Sequence, residues 1–227
     1  MAVQTMTDNK VFYLKNNRLF SGATERADET AHIFTTVLYP AKTAVFEQGD
    51  PTRLVYLVKR GNIRISRITP EGKEITVALL GAGDIFGEET LFQEAERTTI
   101  ATTVGEALLC TAKADDLFAL LSRDPELALN VAKIVHERLN DASATIEDLA
   151  YARVTDRLLH LFQRLAAEHG VAVDDGTRID LRLTHADIAS LIGSTRETVT
   201  VELTNLAREG KIRSDHGTFT LLTQERT

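Results

Sequence analysis

Seven apolar positions in residues 128–149 repeat with a strict rhythm. Ala128, Ala132, Val135, Leu139, Ala142, Ile146 and Leu149 are spaced 4, 3, 4, 3, 4 and 3 residues apart. This is a heptad seam over about three repeats and predicts one long helix, with Asp124 as its cap and Pro125 in its first turn. Such a seam suits a two-stranded coiled coil, and a helix packed on its own sheet is the alternative. Before the helix, from Val37 to about Lys113, the pattern changes to short β-rich runs. Gly49, Gly61, Gly72 and Gly83 fall 12, 11 and 11 residues apart, a turn spacing that indicates a sandwich or barrel of the jelly-roll kind. Alternation from Ile63 to Ile68 predicts a strand with one buried and one wet face. Residues 1–35 are less patterned. Leu19 and Phe20 form a small apolar patch, and Glu25 to Phe34 reads as a short helix.

Beyond a hinge at Tyr151-Ala152-Arg153, Val154 to His169 has an amphipathic helical period, with Leu158, Leu161, Phe162 and Leu165 inward and Gly170 as the stop. Asp174-Asp175-Gly176 reads as a turn and Ile179 to Leu183 as a strand. Thr184 then caps a short helix with Asp187 in its first turn and Ile188, Leu191 and Ile192 on one face. Gly193 ends it. Ser194 opens a second helix, with Glu197 at the capping-box spacing and Val199, Leu203 and Leu206 as its buried stripe. Two short helices around a glycine turn read as helix-turn-helix, although an ordinary helical hairpin would share the pattern. Lys211 to Ser214, a turn at Asp215-His216-Gly217, and Thr218 to Leu222 form a closing hairpin.

Two sets of residues carry candidate chemistry. In the run from Asp84 to Ala101, Gly87 lets backbone amides approach an anion, Glu88 accepts from hydroxyls, and Arg97 offers a planar fork with Thr98 beside it. A surface loop with a Glu–Arg ion pair would show the same residues. At the start of the second short helix stand Ser194, Thr195, Arg196 and Glu197, with Thr200 and Val201 one turn on. These positions of a helix-turn-helix face the major groove.

The run Gly193-Ser194-Thr195-Arg196-Glu197-Thr198-Val199 closely resembles the recognition helix of the cyclic-AMP receptor protein/fumarate-nitrate regulator family of bacterial transcription factors. The resemblance implies an α+β chain: an N-terminal β-roll effector domain (1–123), a dimerisation helix and hinge (124–151) and a C-terminal winged helix-turn-helix (152–227). Phe86, Gly87, Glu88, Arg97 and Thr98 match the family's phosphate-binding cassette, and Ser143 matches a polar contact to adenine. Ala142 departs from the pattern, standing where a threonine is expected. The seam becomes the interface of a parallel homodimer. Arg196 and Glu197 take the family's roles of reading a guanine and a cytosine amino group. Val201 replaces a second arginine, so the palindromic operator should keep some of a TGTGA-like core and relax where that arginine acts. Ser194, Thr195 and Thr200 are implied phosphate contacts, with Lys211 and Arg213 on the wing. Cyclic AMP is the implied effector, and RNA polymerase a further partner. Within the family, the alternative is a protein active without an effector, in which Arg97 pairs internally with Glu88 or Glu89. Outside DNA binding, it is a cyclic-nucleotide regulatory subunit, against which the helix-turn-helix and wing speak.

Composition narrows the classes. Hydrophobic residues make up 43% and charged residues 26% of the 227 positions, as in a soluble globular protein, and the low cysteine content points to the cytoplasm. No apolar run approaches the ~20 residues that span a bilayer, and the first 20 residues lack a signal-peptide core. One cysteine, Cys110, excludes an iron–sulfur or multi-cysteine zinc site, and no metal is expected. The formal net charge is −7, with ten Lys/Arg against eleven Asp/Glu in residues 151–227. A near-neutral DNA-binding part predicts weak non-specific binding and steep salt dependence. No nucleophile–base set, HExxH or G-x-S-x-G occurs, so the chain is not expected to be an enzyme.

Overall fold

The computed structural model describes residues 3–6, 10–15, 17–92 and 96–223. It divides into two compact units, Met1–Glu74 with Ala78–Leu139, and Ile75–Val77 with Asn140–Thr227. The chain begins with strand β1 (Gln4–Met6) and helices α1 (Lys10–Lys15) and α2 (Thr24–Thr30). Strands β2 (Thr35–Tyr39), β3 (Ala44–Phe46), β4 (Leu54–Arg60), β5 (Ile63–Ile68), β6 (Glu74–Leu80), β7 (Ile85–Phe86), β8 (Ile100–Thr103) and β9 (Ala107–Lys113) follow. Helix α3 (Ala114–Leu121) leads to the long helix α4 (Pro125–Tyr151).

Two sheets form the first unit, ordered β1-β2-β9-β4-β7 and β3-β8-β5-β6. The period of two along β4 separates two cores. Tyr56 and Val58 join Phe46, Ile63, Phe86 and Leu109 in one core, while Val55 and Leu57 join Leu19, Phe20, Phe34 and Leu127 in the other. The evenly spaced glycines all fall between strands, as the spacing predicts. The alternation expected along β5 breaks at Ser66, which is buried although it shares a face with Arg64, whereas Ile68, on that same face, is exposed. β8 pairs with β5 as far as Ser66, and Ser66 donates to Glu74 at 2.6 Å.

The N-terminal segment belongs to this core. Leu19 and Phe20 are fully buried, and the helix expected over 25–34 is α2 followed by a 3-10 turn at Ala31–Ile33. The sequence pattern held no signal for β1 or α3. Asn130 of α4 ties the segment down, its Nδ2 donating to the carbonyls of Leu19 at 3.0 Å and Ser21 at 2.8 Å. Asp124 caps α4 by accepting from the amides of Glu126 and Leu127, as expected. The helix packs on its own unit through Leu127, Asn130, Val131 and Ile134. Along the predicted seam Ala128 is half-buried, and Ala132, Val135, Leu139, Ala142, Ile146 and Leu149 are exposed.

Within the second unit the helical run breaks at residues 152–153. It contains α5 (Val154–His169), β10 (Gly170–Val173), β11 (Gly176–Ile179), α6 (His185–Leu191), α7 (Arg196–Arg208), β12 (Ile212–Asp215) and β13 (Thr218–Leu222). Its sheet runs β10-β11-β13-β12. Gly170 ends α5 but lies in extended backbone and starts β10, a strand the sequence pattern did not reveal. The strand expected at 179–183 lies earlier, at Gly176–Ile179, and its pairing with β10 ends with the Asp180 amide donating in register to the His169 carbonyl at 2.8 Å, where β10 meets the end of α5. Leu181 and Leu183 are buried nonetheless, and Phe162 stacks on Phe219 with centroids 5.1 Å apart.

Asn130→Ala leaves two carbonyls without their donor. It should lower stability by about 1–3 kcal/mol, measured by denaturant unfolding of the full chain. An unchanged unfolding midpoint would show that the segment is held by apolar packing alone.

Candidate functional site

The run from Asp84 to Ala101 falls on β7, a 3-10 turn at Glu88–Leu91 and the start of β8, with residues 93–95 outside the described residues. Gly87 opens the turn at φ +77°, and a Cβ there would lie 2.9 Å from both Arg97 Nη1 and the Leu54 carbonyl. Only a glycine permits this close approach. The backbone of Arg97 is pinned to the β3–β4 loop: its amide donates to the Asp50 carbonyl at 3.0 Å and its carbonyl accepts from Gly49 at 2.8 Å. The Arg97 side chain is fully buried. Its guanidinium donates to the carbonyls of Gly87 and Leu54 and stands 4.2 Å over the Phe46 ring. Glu89 completes the pairing, with Oε1 2.7 Å from Arg97 Nη1. Hydrogen bonds from Thr52 hold the Asp50 carboxyl below its usual value, and the Arg97 charge adds to this. Burial raises the Tyr56 phenol well above its ordinary value.

Glu88, next to Glu89, turns to a different partner. It pairs with Arg138 of α4, whose guanidinium also donates to the Ile85 carbonyl. Thr98 is exposed, its carbonyl accepting from Arg67 at 3.3 Å. Two buried polar atoms of this site, Arg97 Nε and Glu88 Oε2, have no hydrogen-bond partner among the described residues. One is a donor and the other an acceptor. Ala142 and Ser143 are exposed on α4, past the boundary with the second unit.

In the second unit Thr184 and Asp187 form the predicted cap of α6, a full capping box with the Thr184 hydroxyl accepting from the Asp187 amide at 3.1 Å. Arg157 of α5 reaches the other end of α6, donating to the Ile192 carbonyl at 2.7 Å. Gly193 turns the chain at φ +60°, where a Cβ would come within 2.5 Å of Leu149 Cδ2. The cap of α7 corrects the sequence reading: it is Thr195, whose Oγ1 accepts from the Thr198 amide at 3.2 Å. Ser194 instead closes the preceding turn, its amide donating to the Ala189 carbonyl at 2.8 Å. Glu197 therefore lies one place short of the capping-box position. Val199, Leu203 and Leu206 are buried as predicted, and Arg196, Glu197, Thr200 and Val201 are exposed. Thr200 Oγ1 is engaged at 2.9 Å by the Arg196 carbonyl and at 2.8 Å by His185. The wing cations have partners too. Lys211 pairs with Glu209 at 2.8 Å and Arg213 pairs with Asp175.

This arrangement has counterparts in known proteins. Residues 36–124 match the model of the cyclic nucleotide-binding domain and residues 152–226 that of the Crp-like helix-turn-helix domain. The cyclic AMP receptor protein of Thermus thermophilus is 34% identical over 206 residues, covering 90% of this chain and 92% of the relative. The chain belongs to the cyclic-AMP receptor protein/fumarate-nitrate regulator family. A global nitrogen regulator of Synechocystis is 33% identical over 213 residues, covering 93% of this chain and 91% of the relative. The structure of a c-di-GMP-responsive global regulator of Xanthomonas campestris is similar at a TM-score of 0.71 and 28% identity, covering 90% of this chain and all of that one. Like these relatives, the protein is a transcriptional regulator with a cyclic-nucleotide-binding domain and a helix-turn-helix domain, and not an enzyme. Among the described residues no helix is long and apolar enough to cross a membrane, and no group of three or more His, Cys, Asp or Glu is placed to hold a metal ion.

Sequence reasoning placed Gly87, Glu88 and Arg97 in one site, and the fold brings them together. It missed Arg138, which lies 50 residues from Glu88. A basic residue between two seam positions was the one available signal, and solvated helix faces share it. The corrected cap yields a stability test. Thr195→Ala should cost about 0.5–2 kcal/mol, read as a lower melting temperature, while Ser194→Ala should change it little. Equal losses from the two variants would contradict the assignment of the cap.

Proposed function

We propose that this protein is a homodimeric, sequence-specific DNA-binding regulator of the cytoplasm, whose β-roll takes a cyclic nucleotide, with cyclic AMP the first to test. The DNA reading rests on the start of α7. Thr195 fills the cap, Val199 anchors the helix from beneath, and Arg196 and Glu197 are left exposed. Arg196 has no side-chain partner among the described residues. An arginine there can donate two hydrogen bonds to a guanine edge, and a glutamate can accept from a cytosine amino group. Ser194 and Thr195 suit phosphate contacts. Thr200, Lys211 and Arg213 must exchange internal partners before meeting DNA, so their share of the affinity is smaller. RNA polymerase is the further partner expected of such a regulator.

The dimer reading rests on the exposed seam. α4 satisfies its own unit through one stripe and presents Val135, Leu139, Ile146 and Leu149 outward. A second copy of the same helix would bury them. The nucleotide reading rests on donor and acceptor chemistry. Arg97 has the charge for a cyclic phosphate and Glu88 the acceptor for a ribose hydroxyl, and each keeps one buried atom unpartnered. When bound, the nucleotide would supply the phosphate charge and hydroxyls to which these residues respond. Ala142 weakens the adenine end, so the base is the less constrained part of the ligand. A second reading, a regulator active without effector, is favoured by the Arg97–Glu89 pair at 2.7 Å.

The seam and the reading helix can be tested separately. Leu139→Asp should give monomers by light scattering and abolish operator binding; a fully dimeric variant would remove the seam as the interface. Arg196→Ala should cost about 1–3 kcal/mol and flatten the preference at one base pair per half-site. Arg208, at the far end of α7, can reach only phosphate. Arg208→Ala should weaken all operators evenly, if at all, and lower the salt slope by about one. The measurement is a panel of singly substituted palindromes titrated at several salt concentrations. Unchanged base preference in Arg196→Ala would overturn its role as a reader.

A further inference from the structure

We propose that Glu89 is a built-in counter-anion that holds the Arg97 fork when no effector is present, and that an anionic ligand binds by displacing it. The inference rests on the nucleotide reading above and deepens it, by naming the residue that sets how strongly the site must be driven.

The two members of the pair differ in freedom. Arg97 cannot leave. Its backbone is bonded to Gly49 and Asp50, its guanidinium to the carbonyls of Gly87 and Leu54, and its charge lies over the Phe46 ring. Its side chain is 0% exposed, whereas that of Glu89 is 39% exposed. Glu89 also sits on a short 3-10 turn and can swing into water without uncovering a core. Removing it alone would strand a buried positive charge, which is costly. A phosphodiester arriving as Glu89 departs keeps the charge balance at Arg97 unchanged. If Glu89 stayed, the two anions would repel at one guanidinium.

Glu88 is the natural contrast. It is spent on Arg138 and the turn, 15% exposed, and is the residue suited to hydroxyls. The adjacent carboxylates thus divide the work: Glu88 completes the site and Glu89 competes with the ligand. A site closed by an internal competitor shows an apparent dissociation constant raised by the inverse of its open fraction. The effector class this selects is an anion compact enough to enter beside Gly87 and able to accept two hydrogen bonds from one arginine, as a cyclic phosphate is. A neutral ligand gains nothing from the exchange.

The test is calorimetric titration of the full-length protein with cyclic AMP and cyclic GMP, using wild type, Glu89→Gln and Glu89→Ala. Thermal melting verifies that each variant is folded, and the alanine variant serves if glutamine itself caps the arginine. Wild type should bind weakly and at least one variant about ten- to a hundredfold more tightly. Adding Arg97→Gln should remove that gain. Measurable wild-type binding that neither variant improves would overturn the counter-anion role and leave the nucleotide site standing. No binding of either nucleotide to any of the three proteins at millimolar ligand would overturn the nucleotide reading and this inference with it.

Discussion

A helix can turn only a limited arc toward any one neighbour, and the long helix α4 is asked to serve several. Near its start, Leu127, Asn130, Val131 and Ile134 occupy one stripe and fasten it to the β-roll. That stripe buries apolar area and, through Asn130, supplies the donors that two N-terminal carbonyls need. The heptad positions lie on another side of the same cylinder, so satisfying the first stripe leaves the second exposed. This division follows from the 3.6-residue turn. It explains why a helix that packs on its own unit still carries an exposed apolar seam. Arg138, on the same helix, stands at the cassette within the first unit.

The cassette is organised by a second constraint, the cost of a buried guanidinium. Arg97 is accepted inside the roll because carbonyls, an aromatic face and one carboxylate surround it. Gly87 makes this possible twice, by its left-handed backbone and by leaving room for the Arg97 fork. The start of α7 is built on the opposite principle. The side chains that hold α6 and α7 in place are capped or buried, and the two residues suited to base edges are left in water. A charged residue that is to meet a partner is cheapest to keep solvated, and one that is to hold an anion in place is best fixed beforehand.

Much of this was legible in the residue order. The heptad spacing, the glycine rhythm, the limits of α5, the helix-turn-helix and the closing hairpin depend on local rules: helical period, turn chemistry and capping. Family resemblance added the cassette. Errors came where a local rule met a tertiary one. Ser66 stands on the wet face of β5 by alternation, yet is buried where it donates to Glu74. Gly170 stops a helix as expected, yet is drawn into a sheet instead of a left-handed cap. Ser194 and Thr195 are equally good caps by composition, and the choice fell to the second because the Ser194 amide is needed to close the preceding turn.

The sequence by itself determined which elements form and which faces are apolar, because those depend on neighbours within about one turn or one strand. Only the tertiary structure decided which carboxylate meets which arginine. Glu88 and Glu89 are adjacent and chemically alike, but the 3-10 turn points them to different cations, Arg138 and Arg97. Electrostatic pairing over such sequence separations is set by the path of the backbone, and residue order alone carries no record of it.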